Sequence, residues 1–135
     1  MSRLLLIDDD PNTLASLARA FQLAGHRAET AGNAERALEL VRTLSFDLIF
    51  SDVVMPGIDG IALLEKIRSM GVSAPVVMIS GQATVDMAVR ATKLGAFDFL
   101  EKPLSTDKLL LTLDNALRLT RLESENRELR RMVGR

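Results

Sequence analysis

The chain has 135 residues, 47% hydrophobic and 26% charged, enough apolar side chain for one packed domain. With no cysteine and a single histidine, His26, it excludes a disulfide scaffold, a thiolate or His-rich metal centre and a cysteine nucleophile, and any Ser–His–Asp triad would have to use His26. The net charge of −1 hides an asymmetry: residues 1–117 hold 11 Lys/Arg against 15 Asp/Glu, whereas residues 118–135 hold 6 Arg against 3 Glu.

Strand and helix patterns alternate along the chain. Leu4–Ile7 is a short apolar run, as in a strand buried on both faces. It stops at Asp8-Asp9-Asp10, which does not suit a signal peptide. Asp10-Pro11 reads as an N-cap with proline in the first turn. The helix that follows turns Leu14, Leu17, Ala18 and Phe21 inward and stops at Gly25. Arg27–Ala31 fits an edge strand. Asn33 can cap a second helix that packs Ala34, Ala37, Leu38 and Val41.

Leu48–Phe50 is a second buried strand ending at Ser51-Asp52, and residues 55–60 read as a loop. A third helix runs to about Met70. Pro75–Ser80 is a buried strand broken by Gly81, and the next helix continues to Gly95 with Thr84 as its cap. Ala96–Leu100 alternates, with Phe97 and Phe99 expected on one face. Glu101-Lys102-Pro103 ends it, and a last helix begins near Leu104. Five strands alternating with five helices predict an α/β doubly wound parallel sheet with right-handed crossovers. The longest stretch free of charged residues, Ser69–Val85, contains Ser, Gly, Pro and Gln and does not suit a membrane span. The expectation is a soluble, cytoplasmic protein without membrane contact.

In an open parallel sheet, ligands bind beyond the carboxyl ends of the strands. Those ends carry Asp8, Asp9 and Asp10, then Asp52, then Ser80 with Gly81, then Lys102. Asp10 is accounted for as a helix cap, whereas Asp8, Asp9 and Asp52 are not. Each alone has an ordinary reading as a solvated loop residue or strand-end cap; their joint placement does not. Carboxylates about 4 Å apart repel by roughly 4 kcal/mol per pair at an effective dielectric of 20. A hard divalent cation with oxygen ligands, Mg²⁺, relieves this. Asp52 can then act as a nucleophile towards phosphorus, with Lys102, Ser80 and the cation compensating the phosphoryl oxygens.

The segments LLLIDDDPN, LIFSDVVMPGIDG, VVMISGQAT and GAFDFLEKPL, spread over residues 3–117, resemble the receiver domain of bacterial two-component response regulators. The resemblance implies the flavodoxin/CheY-like version of the fold, with strand order 2-1-3-4-5 and an extended C-terminal helix. It implies that Asp52 is the phosphoacceptor, that Asp8 and Asp9 form the acidic Mg²⁺ pocket, and that the Val54 backbone carbonyl is a further ligand. It makes Ser80 the switch hydroxyl, Phe99 the switch aromatic, and Lys102 the lysine that completes the catalytic set. A cis Lys102–Pro103 bond is implied as well. The stretch GQATVDMAVRATKLGAFDFLEKP and the tail LESENRELRR look like NtrC-type regulators, whose receiver precedes an ATPase domain acting with the sigma-54 polymerase. A partner histidine kinase and C-terminal ATPase and DNA-binding output domains are thereby implied. The chain itself carries no Walker A or helix-turn-helix pattern, so it reads as a receiver, 1–117, plus a linker, 118–135.

In that tail Leu119, Leu122, Asn126, Leu129 and Val133 fall at spacings of 3, 4, 3 and 4. This is an a/d heptad seam with Asn126 at a, which favours a parallel two-stranded homodimer in fixed register. Arg118 at g faces Glu123 at e of the second copy, and Glu125 faces Arg130, both opposite in sign. The tail arginines are interleaved with glutamates and lack aromatic company, so direct nucleic-acid binding is not expected. The rival readings are a dehalogenase-type phosphatase using Asp8 as nucleophile and Asp10 as acid, a flavodoxin-like protein, and an interaction module without phosphorylation. The first would usually have Thr or Val at position 12, which here is Asn12. The second would want a Gly-rich phosphate loop after the first strand.

Overall fold

The structure is a computed structural model. It describes residues 2–55, 58–82 and 84–133, with only the backbone described for Ile58 and residues 123–133. In chain order its elements are β1 (Arg3–Ile7), α1 (Pro11–Leu23), β2 (Arg27–Ala31), α2 (Ala34–Thr43), β3 (Leu48–Asp52), β4 (Val54–Met55), β5 (Ile58–Asp59), α3 (Gly60–Ser69), β6 (Val76–Ser80), α4 (Val85–Lys93), β7 (Asp98–Glu101) and α5 (Thr106–Val133). Five strands form one parallel sheet in the order β2-β1-β3-β6-β7. Counted over the sheet strands alone, this is the predicted order 2-1-3-4-5.

The apolar strands are explained by helices on both faces. Leu5, Ile7, Ile49, Val76 and Met78 point into a core completed by α2, α3 and α4. Their neighbours Leu4, Leu6, Leu48, Phe50, Val77 and Ile79 point the opposite way, against α1 and α5. Alternation with period two sends each strand's side chains to both layers, so neither layer tolerates a polar run. Phe21 of α1 stacks on Phe50 of β3 with ring centroids 5.1 Å apart, tying the first helix to the central strand. Among the described residues no helix is long and apolar enough to cross a membrane.

The caps fall where the sequence places them. Asp10, Asn33 and Thr84 accept backbone N–H groups from Asn12, Arg36 and Met87, and Gly25 leaves α1 at φ +92°. Three expectations change. The loop after β3 is a short antiparallel ribbon, β4 with β5, whose turn residues 56 and 57 lie outside the described residues. Phe97 and Phe99 do not share a face. The ladder starts only at Asp98, opposite Val77, so Phe97 precedes it and joins the α1/α5 layer while Phe99 joins the other. Finally, α5 starts at Thr106 rather than near Leu104, because Leu104 packs into the α1/α5 layer and Ser105 Oγ accepts the Lys108 N–H at 3.1 Å.

Candidate functional site

Register levels the strand ends. Ile7 lies opposite Ser51, Asp52 opposite Ile79 and Ser80 opposite Glu101, so residues 8, 52, 80 and 102 gather at one edge of the sheet. Asp8 and Asp52 are buried there, Asp9 is exposed, and one carboxylate oxygen from each lies within 4.8 Å of the others.

Each carboxylate has distinct support. Asp8 Oδ1 accepts the Asp10 N–H at 2.9 Å, and its Oδ2 accepts from Lys102 Nζ at 3.2 Å. Among the described residues Asp52 has only a long 3.4 Å contact from the Val54 N–H and Lys102 Nζ at 3.6 Å. Burial pushes the Asp52 carboxyl above the usual carboxylate value, and the nearby Asp8 charge adds to the rise, while Lys102 opposes both. Burial pulls Lys102 down, but the Asp52 charge and the hydrogen bond to Asp8 outweigh it and leave the ammonium above its ordinary 10.5. One cation thus faces two buried carboxylates and an exposed third.

Ser80 is fully buried at the end of β6. Its Oγ accepts the Gln82 N–H at 3.1 Å, and its carbonyl accepts the Lys102 N–H at 2.8 Å, which fixes where the β7 chain end meets the site. The bond between Lys102 and Pro103 is cis, in line with the resemblance. Asp10 stands apart from this group. Its carboxylate takes the Thr13 hydroxyl at 2.9 Å and the Asn12 N–H at 3.0 Å, and these hold it below the usual range. Val54 is exposed in the ribbon beside Asp52. Phe99 is half-buried in the α2–α4 layer, opposite Met78 in the β6 register, and is not part of the carboxylate group. In α5, Leu119 and Leu122 are 40% and 56% exposed, so two hydrophobic members of the expected seam lack cover from their own domain. The side chains of Asn126, Leu129 and Val133 lie outside the described residues.

Three supporting residues had no periodic signal in the sequence. Gly60 N–H donates to Val53 O at 2.6 Å, and a Cβ on Gly60 would overlap the Asp52 carbonyl oxygen and stand 2.7 Å from Val53 Cα. Only glycine lets α3 start this close to the backbone of Asp52. Asp59 caps α3 through the Ile61 N–H and approaches Arg90 of α4 at 3.9 Å. At the opposite end of the sheet, Arg68 donates to the carbonyls of Val72, Ala74 and Gly95, joining the α3–β6 and α4–β7 connections. Beside Asp8 and Lys102 a cavity of about 610 Å³ opens between α1 and the start of α5, floored by Leu17, Ile79 and Leu109 and rimmed by Asn12 and Thr13.

The sheet gathers buried carboxylates, a buried serine hydroxyl and a lysine at its strand ends, the placement that the receiver-domain resemblance implies. The chain belongs to the response regulator receiver domain family, whose model matches residues 4–114. It is 41% identical over 130 residues to the C4-dicarboxylate transport transcriptional regulatory protein DctD of Pseudomonas aeruginosa, covering 96% of this chain and 28% of that one. The crystal structure of NtrX from Brucella abortus in complex with ADP superposes with a TM-score of 0.90 at 35% identity, covering 99% of this chain and 30% of that one. The solution structure of the beryllofluoride-activated NtrC4 receiver domain dimer superposes at 0.83 with 36% identity, covering 87% and 98%. The NtrC-type likeness of the sequence is thus matched by its relatives. The chain spans less than a third of the length of DctD and of NtrX.

Proposed function

We propose that residues 1–117 form a phosphorylation-controlled switch and residues 118–135 a dimerising linker to an output domain that regulates transcription. A histidine kinase is the proposed phosphodonor, and the setting is the cytoplasm. The observation that carries the reading is the imbalance at the strand ends: among the described residues Lys102 is the one cation paired with Asp8 and Asp52, whose carboxylate oxygens converge with one of Asp9 within 4.8 Å. That all-oxygen, anionic set fits a Mg²⁺ ion held by Asp8, Asp9, Asp52 and the Val54 carbonyl. When bound, the ion neutralises charge on the carboxylates and on the phosphoryl oxygens.

In this reading an Asp52 carboxylate oxygen attacks phosphorus in line. The O–P bond forms as the N–P bond of the donor phosphohistidine breaks, and the imidazole nitrogen keeps the bonding pair. The phosphoryl group brings more negative charge than the carboxylate it caps, so the burial and the Asp8 charge that already raise the Asp52 carboxyl make compensation by Lys102 and the ion a requirement of the step. Lys102 Nζ, already within 3.6 Å of Asp52, pairs with a phosphoryl oxygen. Ser80 Oγ is an acceptor towards Gln82, so its own O–H is available to donate to a second phosphoryl oxygen. Drawing Ser80 inward frees volume beside β6 and β7 for Phe99, and α5 carries the change into the linker. Phosphorylation shifts this equilibrium only as far as the new contacts differ between the two packings.

The dehalogenase-type alternative would need Asp10 as a general acid. Its carboxylate is engaged in capping α1 and held below the usual range, the wrong direction for donating a proton. The test is intact mass after incubation with acetyl phosphate and Mg²⁺. A labile phosphoryl adduct lost in Asp52→Asn is expected. An adduct that persists in Asp52→Asn and disappears in Asp8→Asn overturns the assignment.

A further inference from the structure

The peptide that leaves β3, between Asp52 and Val53, is held at both ends. The N–H groups of Ile49 and Val53 donate to Pro75 O and Ile79 O on the β6 side, both at 2.9 Å. Successive residues of a parallel ladder face alternate neighbours, so Asp52, one position before Val53, turns its carbonyl towards β1. Pairing of β1 with β3 ends one step earlier, where Ile7 lies opposite Ser51. The Asp52 carbonyl therefore stands past the end of that ladder. Its donor there is the Ser51 hydroxyl, with Oγ at 3.2 Å. The start of α3 closes on the same group, since a Cβ on Gly60 would overlap the Asp52 carbonyl oxygen.

Serine is an odd residue for this place. Ser51 is 2% exposed, and its register partners Ile7 and Met78 belong to the apolar α2–α4 layer. Alternation sends Ile49 and then Ser51 to that same face of β3. An aliphatic side chain would fill the position with no polar group to desolvate, whereas a buried hydroxyl is unfavourable unless it is hydrogen-bonded. What the serine adds here is its bond to the Asp52 carbonyl.

We propose that Ser51 is a positioning residue for phosphoryl transfer to Asp52. A peptide unit is planar, so fixing its C=O through Ser51 and its N–H through Ile79 fixes the direction in which the chain leaves Asp52. That direction sets two groups of the site at once. It orients the Asp52 Cα–Cβ bond, and with it a carboxylate whose own contacts are long, 3.4 Å to the Val54 N–H and 3.6 Å to Lys102 Nζ. It also sets the start of the β4–β5 ribbon, where Val54 lies. The carboxylate is thus aimed by its main chain more than by its own hydrogen bonds. Ser51 acts from the other face of β3 and touches neither phosphoryl group nor ion. Aim matters because about 1 Å of misplacement can cost about a hundredfold in rate. This role presupposes Asp52 as the phosphoacceptor, and the outcomes below tell the two apart.

Ser51→Ala, Ser51→Thr and Ser51→Val are compared in the full chain, Thr and Val having one shape with and without the hydroxyl. The rate of adduct formation from acetyl phosphate is measured at saturating Mg²⁺. Ser51→Ala and Ser51→Val are expected to be slower by about tenfold, and Ser51→Thr to stay within about threefold of the unsubstituted chain. Ser51→Ala at the unsubstituted rate overturns the proposal. Equal rates for Ser51→Thr and Ser51→Val overturn it too, because the position then acts through volume alone. Hydrogen exchange is followed separately, in chelator. In Ser51→Ala the Val53 N–H is expected to exchange about tenfold faster, as its peptide is freed locally. The Ile49 N–H, in the same strand and also 2.9 Å from its acceptor, should be unchanged. Equal acceleration at both amides is a general loosening of β3 and overturns the positioning role, as does unchanged exchange at Val53. Failure of the unsubstituted chain to form an adduct on Asp52 removes the phosphoacceptor reading and this role with it.

Discussion

Lys102 Nζ stands 3.2 Å from Asp8 Oδ2, joining side chains 94 positions apart, and reaches Asp52 Oδ2 only at 3.6 Å. The lysine therefore belongs first to Asp8, and Asp52 is the carboxylate less well compensated. The resulting arrangement leaves Asp52 buried, close to like charge, and with its carboxyl above the ordinary value of 3.8.

Ionised Asp52 should therefore oppose folding at neutral pH. For a carboxyl raised by folding, this penalty shrinks as pH falls through the folded value towards 3.8, because the native state then holds the proton it prefers. Asp52→Asn removes the penalty. In chelator, its Tm at pH 7 is expected to exceed that of the unsubstituted chain by about 3 °C, a gap that corresponds to about 1 kcal/mol in a domain of this size. The gap should close towards pH 4, and Mg²⁺ should narrow it at pH 7 by stabilising the unsubstituted chain more. A lower Tm for Asp52→Asn at pH 7 would contradict the charge imbalance.

Lys102→Ala leaves Asp8 and Asp52 without a cation, and a loss of about 1–2 kcal/mol at neutral pH is expected for stranding buried charge. The side chain is 31% exposed, so solvent screens part of the effect. Folding raises this lysine above 10.5, so its contribution is complete below that value and lost only as pH rises through the folded value. Urea unfolding should thus show a constant difference between the two chains from pH 7 to about 10. The phosphoryl adduct should still form on acetyl phosphate treatment, in lower yield, while coupling of phosphorylation to self-association is lost.

The fold was legible because its signals are local and repeated. Runs such as Leu4–Ile7 and Val76–Ser80 are apolar on both faces, and Asp10, Asn33 and Thr84 mark helix starts that the structure reproduces. The site was legible because parallel strands end level, so Asp8, Asp52, Ser80 and Lys102 could be placed together before any distance was known. Contacts made between elements were not legible. The Arg68 hydrogen bonds to Val72, Ala74 and Gly95 have no periodicity, and neither has the approach of Asp59 to Arg90. Phe97 and Phe99 separated for a related reason: two-residue alternation holds only inside the ladder, and the sequence does not mark that the ladder starts at Asp98.

Gly60 gives a sharper consequence of such a contact. A methyl group there meets the main chain of Asp52 and Val53, which cannot rotate away as a side chain can. Gly60→Ala is expected to cost about 3 kcal/mol or more, the upper end of overpacking effects, because either α3 or the end of β3 must shift. The urea midpoint should fall at unchanged slope, and the yield of phosphorylated Asp52 should fall in the folded fraction as the carboxylate is displaced. Substitution of Gly32, where a Cβ meets nothing within 4 Å, is the matched control and should leave the adduct yield unchanged.

Comparison of residues 1–117 with 1–135 tests the linker. The shorter chain keeps the receiver-packed positions Leu109, Leu113 and Ala116 but loses Leu119, Leu122 and the heptads beyond. Sedimentation at high micromolar concentration should show self-association of 1–135 that is at least tenfold weaker in 1–117, in one or both of the unmodified and phosphorylated states. Salt should have little effect, since surface ion pairs of the kind expected between g and e positions contribute only about 0.2–1 kcal/mol each. Leucine at Asn126 should strengthen association and loosen its register, because the buried amide selects one alignment at a cost in stability. Monomers at both lengths in both states would leave α5 beyond Leu117 as a plain helical extension.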